Sequence, residues 1–306
     1  MSRTIVITGG TGFIGRRLAY YLYELGYKIV LLSRNPEEAS EDLKTSFRIV
    51  QWDGKTGNGW FNYADDALAL INLAGENIGS GRWTRAKKHV ILQSRLDAAN
   101  AVIDAIRRAE KKPKIVIQPS GVGYYGGHGD ELVDESFTRG EGFLPDLSEQ
   151  WEQAIGPVKE FVSRLIIVRM GVVLGEDSAF MRRILVPYKL FIGGHVGDGK
   201  QWISWIHIED VIGAIRFLLE NNAAYGIYNL TTPNPVRSRI MFKVVGKILG
   251  KPSIFKLPEV AVKIVLGDMG KEMILQGQRV IPRKLVDAEY EFLFPTIESA
   301  LTNILV

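Results

Sequence analysis

Residues 5–16, reading I-V-I-T-G-G-T-G-F-I-G-R, constrain the fold of this chain more than any other stretch. Ile5, Val6 and Ile7 form the short apolar run of a strand buried on both faces. Gly9, Gly12 and Gly15 follow at three-residue spacing, and from Phe13 onward Ile14, Leu18, Leu22 and Leu25 recur with helical period. A strand, a tight glycine turn and a helix in that order make physical sense if the ligand is a dinucleotide. Gly9 then supplies the dihedrals of the turn, Gly12 lets the main chain approach a pyrophosphate, and Gly15 lets helix and strand pack closely. The helix start adds unpaired N–H groups and a partial positive charge. A plain glycine loop without a ligand is the competing reading, because this spacing by itself is weakly specific.

Alternating strands and helices after this crossover predict an α/β doubly wound parallel sheet. The pattern predicts strands at 28–33, 47–52, 68–73, 114–119, 165–170 and 225–230, and helices at 84–110, 147–161, 180–191 and 207–221. Residues 58–66 read as irregular and 121–140 as a glycine-rich, acidic loop suited to a site wall or a mobile lid. The four glycines of 193–200 read as a further loop and 201–206 as a short strand. Beyond Thr231, prolines break the chain into short helices.

The segment T-G-G-T-G-F-I-G at 8–15 resembles the signature of the extended short-chain dehydrogenase/reductases, the nucleotide-sugar epimerase and dehydratase superfamily. Further matches are L-A-G-E-N-I at 73–78, P-S-G-V-G-Y-Y-G at 119–126, V-R-M-G-V-V-L-G at 168–175, S-W-I-H-I-E-D at 204–210 and Y-N-L-T-T-P at 228–233. With these, nearly the whole chain resembles an atypical branch of that superfamily, the epimerase family proteins. The resemblance implies a Rossmann-like sheet in the order 3-2-1-4-5-6, with a smaller C-terminal lobe closing over one edge. The dinucleotide-binding domain would take residues 1–175 and 205–230, and the lobe 176–204 and 231–306.

Composition narrows the function. The chain has 306 residues, 46% of them apolar, enough for one large domain with an appended lobe. Without a single Cys, disulfides, thiolate metal sites and a cysteine nucleophile are excluded, which fits a reducing compartment. His89, His128, His195 and His207 show no metal-ligand spacing, so no metal is expected. The net charge of +4 is spread along the chain without a basic run, which argues against nucleic acid and for mild attraction of anionic small molecules. The N-terminus reads as a strand, not a signal peptide, and no apolar run reaches the roughly 18 residues of a membrane span. A cytoplasmic protein is expected.

The second strand ends in Ser33-Arg34-Asn35-Pro36, where an NAD-preferring site would place a carboxylate for the ribose 2′-OH. Arg34 suits a 2′-phosphate, with Ser33 adding a hydroxyl and Arg16 a second charge, so NADP(H) is favoured over NAD(H). A solvated surface arginine is the alternative. Asp53 follows the third strand; the resemblance makes it an adenine contact, and its position equally suits an ordinary turn aspartate. Leu73, Ala74 and Gly75 close the fourth strand with small residues over which a diphosphate and ribose can pass. The cofactor contacts expected are thus Thr8, Gly9, Gly12, Phe13, Ile14, Gly15, Ser33, Arg34, Asp53, Leu73, Ala74, Gly75, Ser120 and Arg169.

Working members of the superfamily pair a Ser after the fifth strand with a Tyr-x-x-x-Lys, whose Lys lowers the Tyr pKa so that the phenol exchanges a proton during hydride transfer. None of the 11 Tyr here has a Lys four residues on. The resemblance puts Trp151 in the Tyr position and Ile155 in the Lys position, and an indole N–H donates without exchanging protons near neutral pH. Ser120 and Tyr124 are the catalytic candidates that remain, with Glu152 behind them; Tyr125-Gly126 matches a structural pair of the superfamily. Arg82 and Trp83 suit an anionic or planar substrate or simple packing. Trp202, Trp205 and His207 read as lobe-packing residues. The predicted helix 84–110 carries Leu92, Leu96, Ala99, Ile103 and Ile106 on one face, a stripe that serves a two-fold homodimer or the internal core equally well. Three readings of function stay open: an oxidoreductase or epimerase with a substituted acid, a non-catalytic NADP(H)-binding regulator or sensor, and a scaffold.

Overall fold

Continuous apolar runs fold here as strands covered on both faces. The computed structural model describes residues 3–306. One parallel sheet contains β1 (Thr4–Thr8), β2 (Lys28–Ser33), β3 (Arg48–Gln51), β4 (Ala69–Asn72), β5 (Ile115–Gly121), β6 (Arg164–Met170) and β7 (Gly226–Leu230). Their order is 3-2-1-4-5-6-7, the doubly wound arrangement extended by one strand. Because side chains alternate along a strand, Ile5 and Ile7 pack in one layer with α1 (Phe13–Glu24), α2 (Glu41–Ser46) and α6 (Ile208–Glu220), whereas Val6 packs on the opposite layer. That second layer holds α3 (Arg85–Arg108) and α4 (Phe143–Ile155).

The buried face of α3 keeps Ala99, Ile103 and Ile106 of the predicted stripe and is wider than it. Ile91, Arg95, Ala98, Val102 and Ile106 point inward, while Leu92 and Leu96 are half-buried. The core face therefore includes a charged residue, which the count of apolar residues passed over. Helix α4 begins four residues before the predicted start, because a distant carboxylate caps it. Glu272 accepts the N–H groups of Phe143 at 3.1 Å and Leu144 at 2.8 Å. The helix then tightens into a 3-10 turn at Gly156–Glu160, where Pro157 cannot donate.

Two predicted loops contain pairing. Gly193–Val196 is a strand parallel to Ser253–Leu257, and Leu132–Val133 pairs with Arg279–Val280. The 121–140 segment is thereby pinned to the C-terminal part and is no free lid. The lobe has its own core of Met181, Tyr188, Trp205, Met241, Val245 and Leu301, drawn from α5 (Ala179–Lys189), the short strand Trp205–His207, α7 (Ser238–Leu249) and the last helix Ile297–Leu305. Residues 283–294 return to the main sheet: Leu285 enters its core, and buried Asp210 accepts the N–H groups of Leu293 at 2.7 Å and Phe294 at 3.0 Å. Among the described residues no helix is long and apolar enough to cross a membrane.

Candidate cofactor cleft and active site

A cleft of about 800 Å3 opens at the carboxyl ends of β1, β2 and β4. Gly9, Gly12, Ser33, Arg34, Asp53, Leu73, Ala74 and Gly75 line it, so eight of the expected contacts are brought together. The three loop glycines divide the work. Gly9 has φ +63°, and a Cβ there would lie 2.9 Å from the Leu73 carbonyl; at Gly15 it would lie 2.5 Å from the Gly9 oxygen. At Gly12 a Cβ would meet only that oxygen, at 3.2 Å, and would otherwise project into open space. The first bond into α1 runs from Arg16 N–H to Gly12 O, so Phe13, Ile14 and Gly15 have N–H groups without an intrahelical acceptor. No side chain caps this end and no acidic residue occupies the first turn. The unanswered end of α1 faces the cleft.

Thr8 is buried under the loop instead of lining it. Its hydroxyl donates to Asn72 Oδ1 at 2.6 Å and accepts from Ala74 N–H at 3.1 Å, while Asn72 donates onward to Gln118 at 2.9 Å. This relay ties the ends of β1, β4 and β5 together and sets the course of residues 73–75. Ser33 Oγ accepts from Asn35 N–H at 3.2 Å and shapes the β2 turn. Arg34 is exposed at the lip, and its guanidinium forms no ion pair with any described residue. Arg16, expected to add a second charge, lines the cleft and is paired with Asp177. Asp53 has the turn role that was the alternative: it accepts from Lys55 and Thr56 N–H, each at 2.8 Å, and from the Thr56 hydroxyl at 2.7 Å. Although burial works the other way, these bonds hold its carboxyl below the usual carboxylate value.

Further along the strand ends, Ser120 is buried and its Oγ has no hydrogen-bond partner. Trp151 and Ile155 lie on the buried face of α4 with Leu147, spaced four residues apart. Ile155 is fully enclosed by apolar side chains, so nothing polar takes the Lys position. Trp151 Nε1 is buried without a partner, and the Arg95 guanidinium sits 4.8 Å over its ring. Arg95 donates through Nη1 to Glu76 O at 3.0 Å and Ile91 O at 2.9 Å, and burial lowers its pKa to about 10.

Arg169, expected among the cofactor contacts, lies outside the cleft lining and is engaged elsewhere. Its Nε and Nη2 donate to the two Glu152 oxygens at 2.9 and 2.8 Å, and its guanidinium lies 3.4 Å from the centre of the Tyr124 ring. Burial opposes its charge, but the Glu152 carboxylate outweighs that and raises its pKa. The Glu152 side chain is accordingly nearly buried, with both carboxylate oxygens accepting from Arg169. Tyr125 is structural: its hydroxyl donates to Asn229 at 2.8 Å, and burial pushes its pKa up to about 12.

The remaining candidates resolve into packing and capping. Trp83 is buried and donates to Ile78 O at 2.8 Å. Trp202 lies between Arg237 and Arg279 and donates to Asp130 at 2.8 Å. His207, read as a packing residue, is also the N-cap of α6 through Nδ1, accepting from Glu209 N–H at 3.2 Å; burial lowers its pKa to about 4. Among the described residues no group of three His, Cys, Asp or Glu is placed to hold a metal.

Comparison with known proteins decides the family. Residues 5–148 match the NAD dependent epimerase/dehydratase family, and residues 257–304 a domain of unknown function, DUF1731. The epimerase family protein YfhF of Bacillus subtilis is 36% identical over 98% of this chain and 97% of its own. The chain belongs to the epimerase family proteins. A chloroplastic member from Arabidopsis thaliana, the SDR39U1 homolog, is 34% identical, covering 99% of this chain and 86% of that one. The crystal structure of the human epimerase family protein SDR39U1 with NADPH superimposes with a TM-score of 0.87 at 32% identity, covering 98% of both chains. In the present epimerase family protein the cleft fits a dinucleotide on its own geometry. An uncapped helix end meets a glycine with free space above it, and an arginine without a counter-ion stands at the far rim.

Proposed function

We propose that this epimerase family protein binds NADP(H) in the cleft and acts as an oxidoreductase or epimerase-like enzyme on a small anionic molecule. The observation that carries the cofactor reading is Arg34, unpaired at the rim where an NAD site would hold a carboxylate. In the bound state the N–H groups of Phe13 and Ile14 would meet the pyrophosphate, and Leu73, Ala74 and Gly75 would form the floor under the ribose. Ser33 would add a hydroxyl to the 2′-phosphate. The cofactor supplies hydride chemistry; the protein supplies binding, orientation and charge. Ser120 is the hydroxyl available to orient a substrate oxygen, and Tyr124 is the phenol that supports proton exchange, its ring held against Arg169. The expected homodimer has little apolar area to use on α3, where Val90 is exposed and Leu92 and Leu96 are half-buried among the larger apolar groups.

A second reading, NADP(H) binding without turnover, is supported by Trp151 and Ile155. Neither residue exchanges protons, and general acid–base help is typically worth 10²- to 10⁴-fold. Incubating the protein with NADPH and a panel of small ketones, oxo acids and sugar nucleotides separates the two. Turnover that disappears in Tyr124→Phe or Ser120→Ala supports the enzyme. NADPH that raises the melting temperature while no panel member is reduced supports the sensor.

A further inference from the structure

Three buried donors near the carboxyl ends of β4 and β5 have no acceptor: Ser120 Oγ, Trp151 Nε1 and Arg95 Nε. Their residues are only 5, 8 and 8% exposed, so water does not replace the missing partner along an open surface. Folded proteins leave few such groups, because each forfeits its bonds to water on burial. A chain of neighbouring residues links all three. Arg95 lies against Gly75 just past β4, with its Cζ 3.3 Å from where a Cβ would stand. The same guanidinium covers Trp151, and the next residue, Glu152, is bonded to Arg169. Arg169 is in turn the register partner of Ser120 on the neighbouring strand.

The chemistry of these donors defines what they would take. Indole and guanidinium N–H groups only donate, and the serine hydroxyl is free to do so, so the missing group is an acceptor. Charge narrows it further. Glu76, the carboxylate nearest Arg95 in charge terms, is neutralised by Lys87 at 2.6 Å, and Glu152 by Arg169. Arg95 is left as the surplus cation. Its Nη1 is spent on two backbone carbonyls, so the open edge is the one carrying Nε, which matches a carboxylate side-on.

We propose that Arg95, Trp151 and Ser120 form a carboxylate-binding site, and that the substrate is a carboxylate-bearing molecule held there beside the hydride-transfer position. The assignment rests on the enzyme reading for its place in a reaction, but the site itself is testable without turnover. On this view Trp151 is a binding residue that replaces the superfamily's tyrosine: it fixes the substrate by its N–H and moves no proton.

Indole N–H resonances of protein labelled with 15N-tryptophan would report the site directly, with oxalate, acetate, acetamide and inorganic phosphate as probes, with and without NADPH. The Trp151 signal is identified by its loss in Trp151→Phe, a change that keeps a ring under Arg95. Oxalate should move that signal downfield, acetamide should not, and Ser120→Ala should weaken oxalate binding by about tenfold. A Trp151 signal that ignores oxalate and acetate overturns the proposal, as does a response to phosphate as strong as that to oxalate. NADPH affinity measured on the same samples keeps the two readings apart. Loss of NADPH binding alone refutes the cofactor assignment, whereas normal NADPH binding with an unmoved Trp151 signal refutes the carboxylate site.

Discussion

Replacing Glu152 with glutamine should destabilise the protein by about 3 kcal/mol, the low end of the roughly 3–5 kcal/mol that breaking a buried ion pair costs. The side chains of Arg169 and Glu152 are 2 and 9% exposed, so neither charge is answered by water once its partner is gone. Two hydrogen bonds of 2.9 and 2.8 Å now fix the pair. Glutamine keeps one acceptor but turns an NH2 toward a guanidinium that only donates. The Tyr124 and Tyr125 rings, 3.4 and 5.0 Å from the guanidinium carbon, cushion the loss, since a desolvated cation–π contact is worth about 2 kcal/mol. Urea unfolding should show a lower midpoint at an unchanged slope. Glu152→Leu combined with Arg169→Met should recover most of the loss, because it removes both charges together. A loss below about 1 kcal/mol in the single variant would place the pair among surface ion pairs and refute the argument.

Gly12→Ala and Gly15→Ala should fail in different ways: the first keeps its melting temperature and loses NADPH affinity, while the second loses about 1–3 kcal/mol of stability, because its Cβ would sit 2.5 Å from the Gly9 oxygen. Calorimetric binding and thermal melts on both variants check this. Ser120→Ala should raise stability by about 1 kcal/mol in urea melts, since it removes a buried hydroxyl that has no partner. His207 should make the fold acid-sensitive. Its folded pKa is lowered from 6.5 to about 4, so the stability it contributes is full above the unfolded value and is lost as pH falls through the folded one. Across that window the loss is on the order of 3 kcal/mol. His207→Asn keeps the cap acceptor, and urea midpoints measured between pH 7 and 4 should then show a flatter slope.

Much of the cofactor cleft was legible in the sequence because its parts are local. A strand, glycine turn and helix within residues 5–25 specify themselves by period and by φ, and β2 was read with its observed bounds. What escaped was set by distant contacts. The start of α4 depends on Glu272, more than a hundred residues away, and the strand Gly193–Val196 exists because Ser253–Leu257 pairs with it. Arg95 was hidden by its charge, although its place four residues after Ile91 and three before Ala98 puts it on the inward face of α3. An apolar count discards such a residue; the helical period alone would have kept it. Arg169 was placed correctly at a strand end, but nothing local reveals that Glu152 reaches across to it.

Calorimetric titration of the protein with NADPH and with NADH tests the NADP(H) site built on Gly12 and Arg34. A charge-assisted hydrogen bond to the 2′-phosphate is worth roughly 1.5–3 kcal/mol, about 10- to 150-fold in affinity. NADPH should bind at least tenfold tighter, and Arg34→Ala should remove most of that difference while leaving NADH binding unchanged. Equal affinities for the two cofactors in the unmodified protein would mean that Arg34 does not select the 2′-phosphate.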